Sequence, residues 1–486
     1  LGAFVAAAAG TLLALAACGA AERRGAVAEV RSRVISQDPP QVLDLDDLYE
    51  TVQVFDWHLS DPRERTRWSA RHPLGAAAAA GALVPIGGRR AELERAVAIV
   101  ADQVQHVDVL LAASRVGHMR LLWAVGGEAV DPRQSLRLRL DQAVAGRFRF
   151  MVGGHDRWSG QVTRLRLVLS DPRTDAVVLA SVSGGRLEAV EPRVRAAARR
   201  PAKIELDHDL RNGFLAVPGE PVVRRVSAGP GDRLRVAFGV HRHLRHPIDF
   251  RVTVSSGRSE RLVIQRRVGP GEDTGWHERT VALDEPAERE FELRLAVAST
   301  EPHDLAAGLP LWANPEVVRP GAASGRLNLL LVVVDALRAD RLSLYGHARR
   351  TSPRLEQWAR QSAVVFRHAV AAAPWTLPSH MSLFTGLEAL RHGYNHDVGF
   401  AGENGEQPMA SLDLLAEILQ RRGWATRAVT GGAYLHPGYG FAQGFDGYAW
   451  WADRARDDRE LESGVDRVLE WMGARRDEPF FCFLHT

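Results

Sequence analysis

The sequence predicts a multidomain fold: two all-β sandwich domains of jelly-roll character, followed by an α/β domain truncated at its C-terminal end. Three observations predict it. Residues 51–318 alternate apolar and polar side chains with a period of two, broken by turn clusters at near-regular spacing. From Leu327 onward, apolar runs alternate with amphipathic helical segments, the pattern of a largely parallel sheet. The length of 486 residues accommodates roughly two to four domains.

Residues 1–18 read as a signal peptide. The run LGAFVAAAAGTLLALAAC is too short for a comfortable membrane span and has the character of a secretory h-region. Leu15-Ala16-Ala17-Cys18 resembles a bacterial lipobox, which would make Cys18 a lipidated first residue and anchor the protein to a membrane of the exported cell envelope, periplasmic or at the surface. Simple cleavage and an uncleaved anchor are the alternatives. Residues 19–50 are polar and irregular, a tether.

In the first sandwich, 51–200, the segments 107–114, 118–125, 135–140, 147–152 and 163–170 read as strands. Residues 88–104 are open to a helix but read better as a strand, because VDVLLA follows at once. In the second sandwich, 201–318, strands fall at 232–240, 249–256, 261–268, 277–283, 290–297 and 312–318, with AGPGD and GPGED as turns. Trp158 and Trp276 either fill cores or stack on sugar rings. Residues 319–327, RPGAASGRL, form a linker.

The stretch that carries chemistry follows. LNLLLVVVD is an apolar run suited to a parallel strand covered on both faces, and it ends at Asp335. Ligands gather at the carboxyl ends of such strands, and a carboxylate there suits a hard divalent cation. Residues 353–369 read as a helix capped by Ser352. In PWTLPSHMSLFTG a helix starts at Pro378, which puts Thr376 just before a helix N-terminus, where the backbone favours an anion. A hydroxyl placed there beside a metal can be activated as a nucleophile toward a sulfate or phosphate ester. Residues 411–423 and 460–476 read as helices, with 424–430 and FFCFL as strands.

The blocks NLLLVVVDALRADRLSLYG, TSPRLEQWA, APWTLPSHMSLFTGL and RHG together resemble the sulfatases of the alkaline phosphatase superfamily, over about 160 residues from Asn328. The resemblance implies an alkaline-phosphatase-like α/β fold, Asp335 as a metal-ligand aspartate, Thr376 as nucleophile and metal contact, and a divalent cation (Ca, Mg, Mn or Zn) as cofactor, held in part by ligands beyond residue 486. The chain departs from the family pattern at several positions. Thr376 stands where formylglycine sulfatases carry Cys or Ser, His380 where they carry an arginine, and Ala336 where they carry a second aspartate. The family's lysine-and-histidine segment should fall near Val429–Tyr434, which holds neither, and Lys203 is the only lysine of the chain. His380 reads either as a helix-surface residue or as an oxyanion contact, and His392 as a loop fastener. Threonine nucleophiles occur in the superfamily's phosphodiesterases and phospho-substituent transferases, so residue 376 favours phosphorus while the overall resemblance favours sulfate.

The leading expectation is a metal-dependent hydrolase of sulfated or phosphorylated small molecules or glycans, with the sandwiches as glycan contacts. The alternatives are a transferase of the same fold, which usually brings several membrane helices, and a non-catalytic glycan-binding lipoprotein on a degenerate scaffold. Composition is ordinary for globular protein, 45% hydrophobic and 25% charged, and the formal charge of +3 indicates no nucleic-acid partner. Cys18 and Cys482 are the only cysteines. If Cys18 is lipidated no disulfide framework exists, and Cys482 reads as a core residue.

Overall fold

The computed structural model describes residues 3–8, 11–12, 31–33 and 42–486, except 71–73, 77–80, 86–89, 114–115, 140–145, 154, 156, 173–175, 199, 242–245, 257–258, 270–271, 273–274, 301–307, 321–325, 395–410, 432 and 452–457. The lipobox segment, Leu15 to Cys18, lies outside the described residues.

The first all-β unit packs a five-stranded sheet against a six-stranded one, both antiparallel. Alternation along Arg90–Val100 and Gln161–Pro172 sends Leu93, Leu165, Leu167 and Leu169 inward, where they meet Val107, Val109 and Leu111 of the facing sheet. Residues 90–100 form a strand, in keeping with the reading that preferred one. Trp158 is a core residue: it is 6% exposed, its Nε1–H donates to Ala101 O (3.0 Å) and Val104 O (2.8 Å), and Trp123 meets it edge-on. Sequence reasoning missed the strands Tyr49–His58 and Ala176–Ala189.

The second all-β unit owns one four-stranded sheet, from Val222–Ala228, Arg289–Ser299, Ile248–Ser256 and Ser259–Val268. Its other layer is one end of a twelve-stranded mixed sheet: Asp209–Leu215, Leu309–Val318, Arg233–His241 and His277–Ala282. Phe238, Phe250 and Trp312 fill the space between the layers.

The same large sheet continues into the C-terminal part. Leu329–Val334, Phe480–His485, Ala425–Gly431 and Gly447–Trp451 lie side by side and parallel. Gly447–Trp451 then pairs antiparallel with Asp209–Leu215, which makes the sheet continuous between the second all-β unit and the α/β unit. The strands at 425–431 and 480–485 are buried along their whole length, as expected for central parallel strands. Asp446, in the GFD element, binds the α/β unit together: its carboxylate accepts from Thr426 N–H (3.0 Å) and Gln420 Nε2–H (3.1 Å), and its carbonyl from Asn314 of the all-β part (2.7 Å).

The helices are shorter than their sequence patterns. Pro353–Ser362 ends where 369 was expected, and Leu415–Arg421 replaces 411–423. Ser352 makes no side-chain cap; its hydroxyl pairs with that of Ser343 (3.1 Å). Among the described residues no helix is long and apolar enough to cross a membrane. Cys482 is fully buried, and burial pushes its thiol up to about 12.

Candidate active site

The site forms at the carboxyl end of the Leu329–Val334 strand. There the backbone leaves the sheet through a left-handed residue, Ala336 (φ 55°). An alanine in that conformation costs roughly 1–2 kcal/mol; the aspartate that the family pattern places here tolerates it better. Asp335 Oδ1 accepts the Ala336 N–H (2.8 Å), which fixes the carboxylate.

The helix carrying Thr376 begins two residues earlier than the expected start at Pro378. It spans Thr376–Thr385, with Trp375 as N-cap and Pro378 at its third position, where a missing N–H is harmless because no intrahelical acceptor exists there. Thr376 is therefore the first helical residue, within the positive end of the helix dipole. Its Oγ1–H donates to Asp335 Oδ2 at 3.0 Å, so two residues 41 positions apart meet at one point. The Asp335 side chain is 40% exposed, which leaves its oxygens accessible.

Two histidines stand behind this pair. His380, one turn along the same helix, is 5% exposed and not on the helix surface. Its Nδ1–H donates to Thr376 O (2.8 Å), and its buried Nε2 has no hydrogen-bond partner. Burial lowers its pKa more than Asp335 and the Thr376 carbonyl raise it, so the neutral ring is favoured. His485, at the end of the adjacent strand, places Nε2 3.9 Å from Asp335 Oδ2 and its ring 4.9 Å from that of His380. Burial and the neighbouring His380 lower its pKa as well. Sequence reasoning missed His485. The available signal was its position at the carboxyl end of an apolar strand, the same position that marked Asp335.

Other singled-out residues lie elsewhere. His392 fastens a loop: Ser382 Oγ meets its Nε2 (3.0 Å), and its Nδ1 accepts the Tyr394 N–H (3.1 Å). Lys203 comes from the all-β part and donates to Ala442 O (3.3 Å), so the one lysine of the chain touches the α/β unit without lying beside Thr376 in sequence or strand order. At the position expected of the family's cationic segment, Tyr434 instead meets Trp375 edge-on, 5.2 Å apart.

As a metal donor set, Asp335 and Thr376 supply hard oxygens suited to a divalent cation. Among the described residues no group of three or more His, Cys, Asp or Glu side chains could hold a metal ion.

A parallel sheet with a carboxylate at one strand end and a helix-borne hydroxyl against it belongs to the class of α/β folds whose ligands gather at strand carboxyl ends. Within that class, residues 327–486 match the Sulfatase family model, and arylsulfatase A of Bos taurus is 30% identical over 141 residues, 27% of this chain and 27% of the relative. The likeness to sulfatases thus rests on residues 327–486. The chain spans about a quarter of the length of the relative it matches (27%). Among solved structures, a low-affinity xylan-binding module from Roseburia intestinalis matches 29% of this chain and 92% of its own (13% identity, TM-score 0.18). The N-terminal CBM22 tandem domain of Xyn10C from Paenibacillus barcinonensis matches 55% and 97% (10% identity, TM-score 0.18). Likeness at that level carries no argument.

Proposed function

We propose that the protein is a sulfatase-family, metal-dependent hydrolase that cleaves sulfate or phosphate esters through Thr376. The observation that carries this reading is the 3.0 Å hydrogen bond from Thr376 Oγ1 to Asp335 Oδ2 at the first residue of a helix. Asp335 orients the hydroxyl and draws on its proton. The helix N-terminus, with the Thr376 and Leu377 N–H groups free of intrahelical acceptors, favours negative charge as the oxygen attacks. His380, through Thr376 O, holds the first turn. The Oγ1–S or Oγ1–P bond forms, the ester oxygen leaves and takes up a proton, and water then cleaves the threonine ester. A divalent cation bound by Asp335 and Thr376 would supply Lewis-acid activation of the hydroxyl.

Transfer to an acceptor hydroxyl in place of water is the second outcome of the same intermediate. A non-catalytic glycan-binding role is favoured by one observation, the alanine in a left-handed position where the family pattern has a carboxylate. The N-terminal run and Cys18 support, as part of this proposal, an exported bacterial envelope location with a lipid anchor.

The test is turnover of aryl sulfate, phosphate monoester and phosphodiester substrates by the full-length protein with Ca²⁺, Mg²⁺, Mn²⁺ or Zn²⁺, beside Thr376→Ala. Loss of turnover in the variant by at least about a thousandfold is expected. Sulfate turnover would assign a sulfatase independent of formylglycine, and phosphodiester turnover a phosphoesterase. No turnover that depends on Thr376 would contradict the mechanism.

A further inference from the structure

We propose that the cleft between the second all-β unit and the α/β unit is a binding subsite for a neutral oligosaccharide. This proposal is independent of the hydrolase reading, because the cleft borders the first half of the Ala425–Gly431 strand and the Thr376 site lies at strand carboxyl ends.

The cleft has a volume of about 580 Å³, within the range of small-ligand sites. Its floor is a saturated ionic lattice. Asp209 accepts from both ends of the Arg427 guanidinium (2.9 Å each) and from Arg211 Nε and Nη2 (3.2 and 3.0 Å). Glu278 accepts from Arg475 (2.7 Å) and Arg211 (3.4 Å). Behind them Arg235 meets Glu316 (3.1 Å) and Glu478 (2.6 Å); with that layer counted four arginines face four carboxylates, so the floor offers fixed polar edges with little net field.

Two indoles form the walls. Trp276 is half-buried, and its Nε1–H is held by Asp209 O at 2.8 Å. Gly239 passes so close that an added Cβ would stand 3.4 Å from the ring. Trp471 is half-buried on the Asp458–Gly473 helix, edge-on to Phe480 and with the Arg475 guanidinium 4.5 Å from its ring centre. Both rings are held in place before any ligand arrives, which lowers the entropy cost of binding. The rim again balances, with Arg279 and Arg467 against Asp207 and Glu470.

This chemistry selects its occupant. A polyphosphate chain or nucleic acid needs a large excess of cations to displace its counterions, whereas the lining holds five arginines to four carboxylates. An apolar ligand would leave the ionic floor desolvated without partners. A pyranose ring satisfies both surfaces: its C–H faces lie on indole rings, and its hydroxyls reach carboxylate and guanidinium edges.

The experiment titrates the chain with neutral hexasaccharides of cellulose, xylan, mannan and chitin type, and with dextran sulfate, by calorimetry. Hydrogen exchange is followed with and without the tightest binder. Saturable binding of at least one neutral hexasaccharide is expected, with protection confined to residues 207–211, 276–280 and 467–475. Trp471→Ala should weaken it at least tenfold, while Trp358→Ala, on the surface of the Pro353–Ser362 helix, leaves it unchanged. If Trp471→Ala fails to fold, the exchange map of the unaltered chain decides. Absence of binding to every neutral hexasaccharide, protection elsewhere, preference for dextran sulfate, or full binding by a folded Trp471→Ala would each overturn the proposal.

Discussion

Two aspartates of the same large sheet contrast sharply. Asp209 sits where the all-β and α/β parts join. Its side chain is 13% exposed and is gripped by two guanidinium groups. Asp335 sits at a strand carboxyl end, 40% exposed, and among the described residues meets a hydroxyl, its neighbour's amide and a distant histidine. A buried carboxylate gripped by fixed cations holds structure together, because removing it strands buried charge. A carboxylate with accessible oxygens beside a hydroxyl contributes little to stability and is free for chemistry. The first all-β unit has two sheets of its own; the second borrows a layer from the large sheet, and the lattice around Asp209 lies where that sheet passes into the α/β unit.

The sharpest break of this comparison is Asp209→Ala. It leaves Arg427 and Arg211 buried without their shared partner and should cost about 3–5 kcal/mol in urea unfolding. A loss under about 1 kcal/mol would mean that the lattice is not structural.

Acid comes next in size. Burial pushes the Asp209 carboxyl up, but Arg211 and Arg427 together outweigh it and hold the group at about 2. Burial likewise acts against Glu278, and Arg475, Arg211 and Arg235 bring it to about 2. Both folded values lie below the unfolded ones. The stability they add is therefore complete above about pH 5 and is lost as pH falls toward 2, on the order of 2–3 kcal/mol for each group. Thermal unfolding followed from pH 5 to pH 2 should show a steep fall in melting temperature below pH 4, and Asp209→Ala should flatten it.

The smallest effect on stability belongs to the other aspartate. Asp335→Ala removes two half-exposed hydrogen bonds and should change unfolding by no more than about 2 kcal/mol, while it removes any turnover that depends on Thr376. A loss as large as that of Asp209→Ala would erase the distinction between the two sites.

Much of this was legible in the sequence. Period-two alternation marked most strands of 90–318, and an apolar run ending in Asp335 marked the first parallel strand. Thr376 was legible because Pro378 announced a nearby helix start, although the helix begins at Thr376 itself. What was not legible depends on pairing across the chain. Nothing local in Asp209-Leu210-Arg211 indicates that this strand joins Gly447–Trp451, since register is set by partners 236 residues or more away. His485 gave only the signal of its strand end, and Trp276 gave none that separated a core ring from a cleft wall. Tertiary context decided both.

The central claim is that Thr376 Oγ1 forms the covalent bond. The most direct measurement is acid quench of the full-length protein during turnover, followed by peptide mass spectrometry of the segment containing Trp375 and Thr376. A phospho- or sulfo-ester on Thr376, present with substrate and absent without it, is the predicted result. An unmodified Thr376 during rapid, metal-dependent turnover, or a modified residue elsewhere, would contradict it.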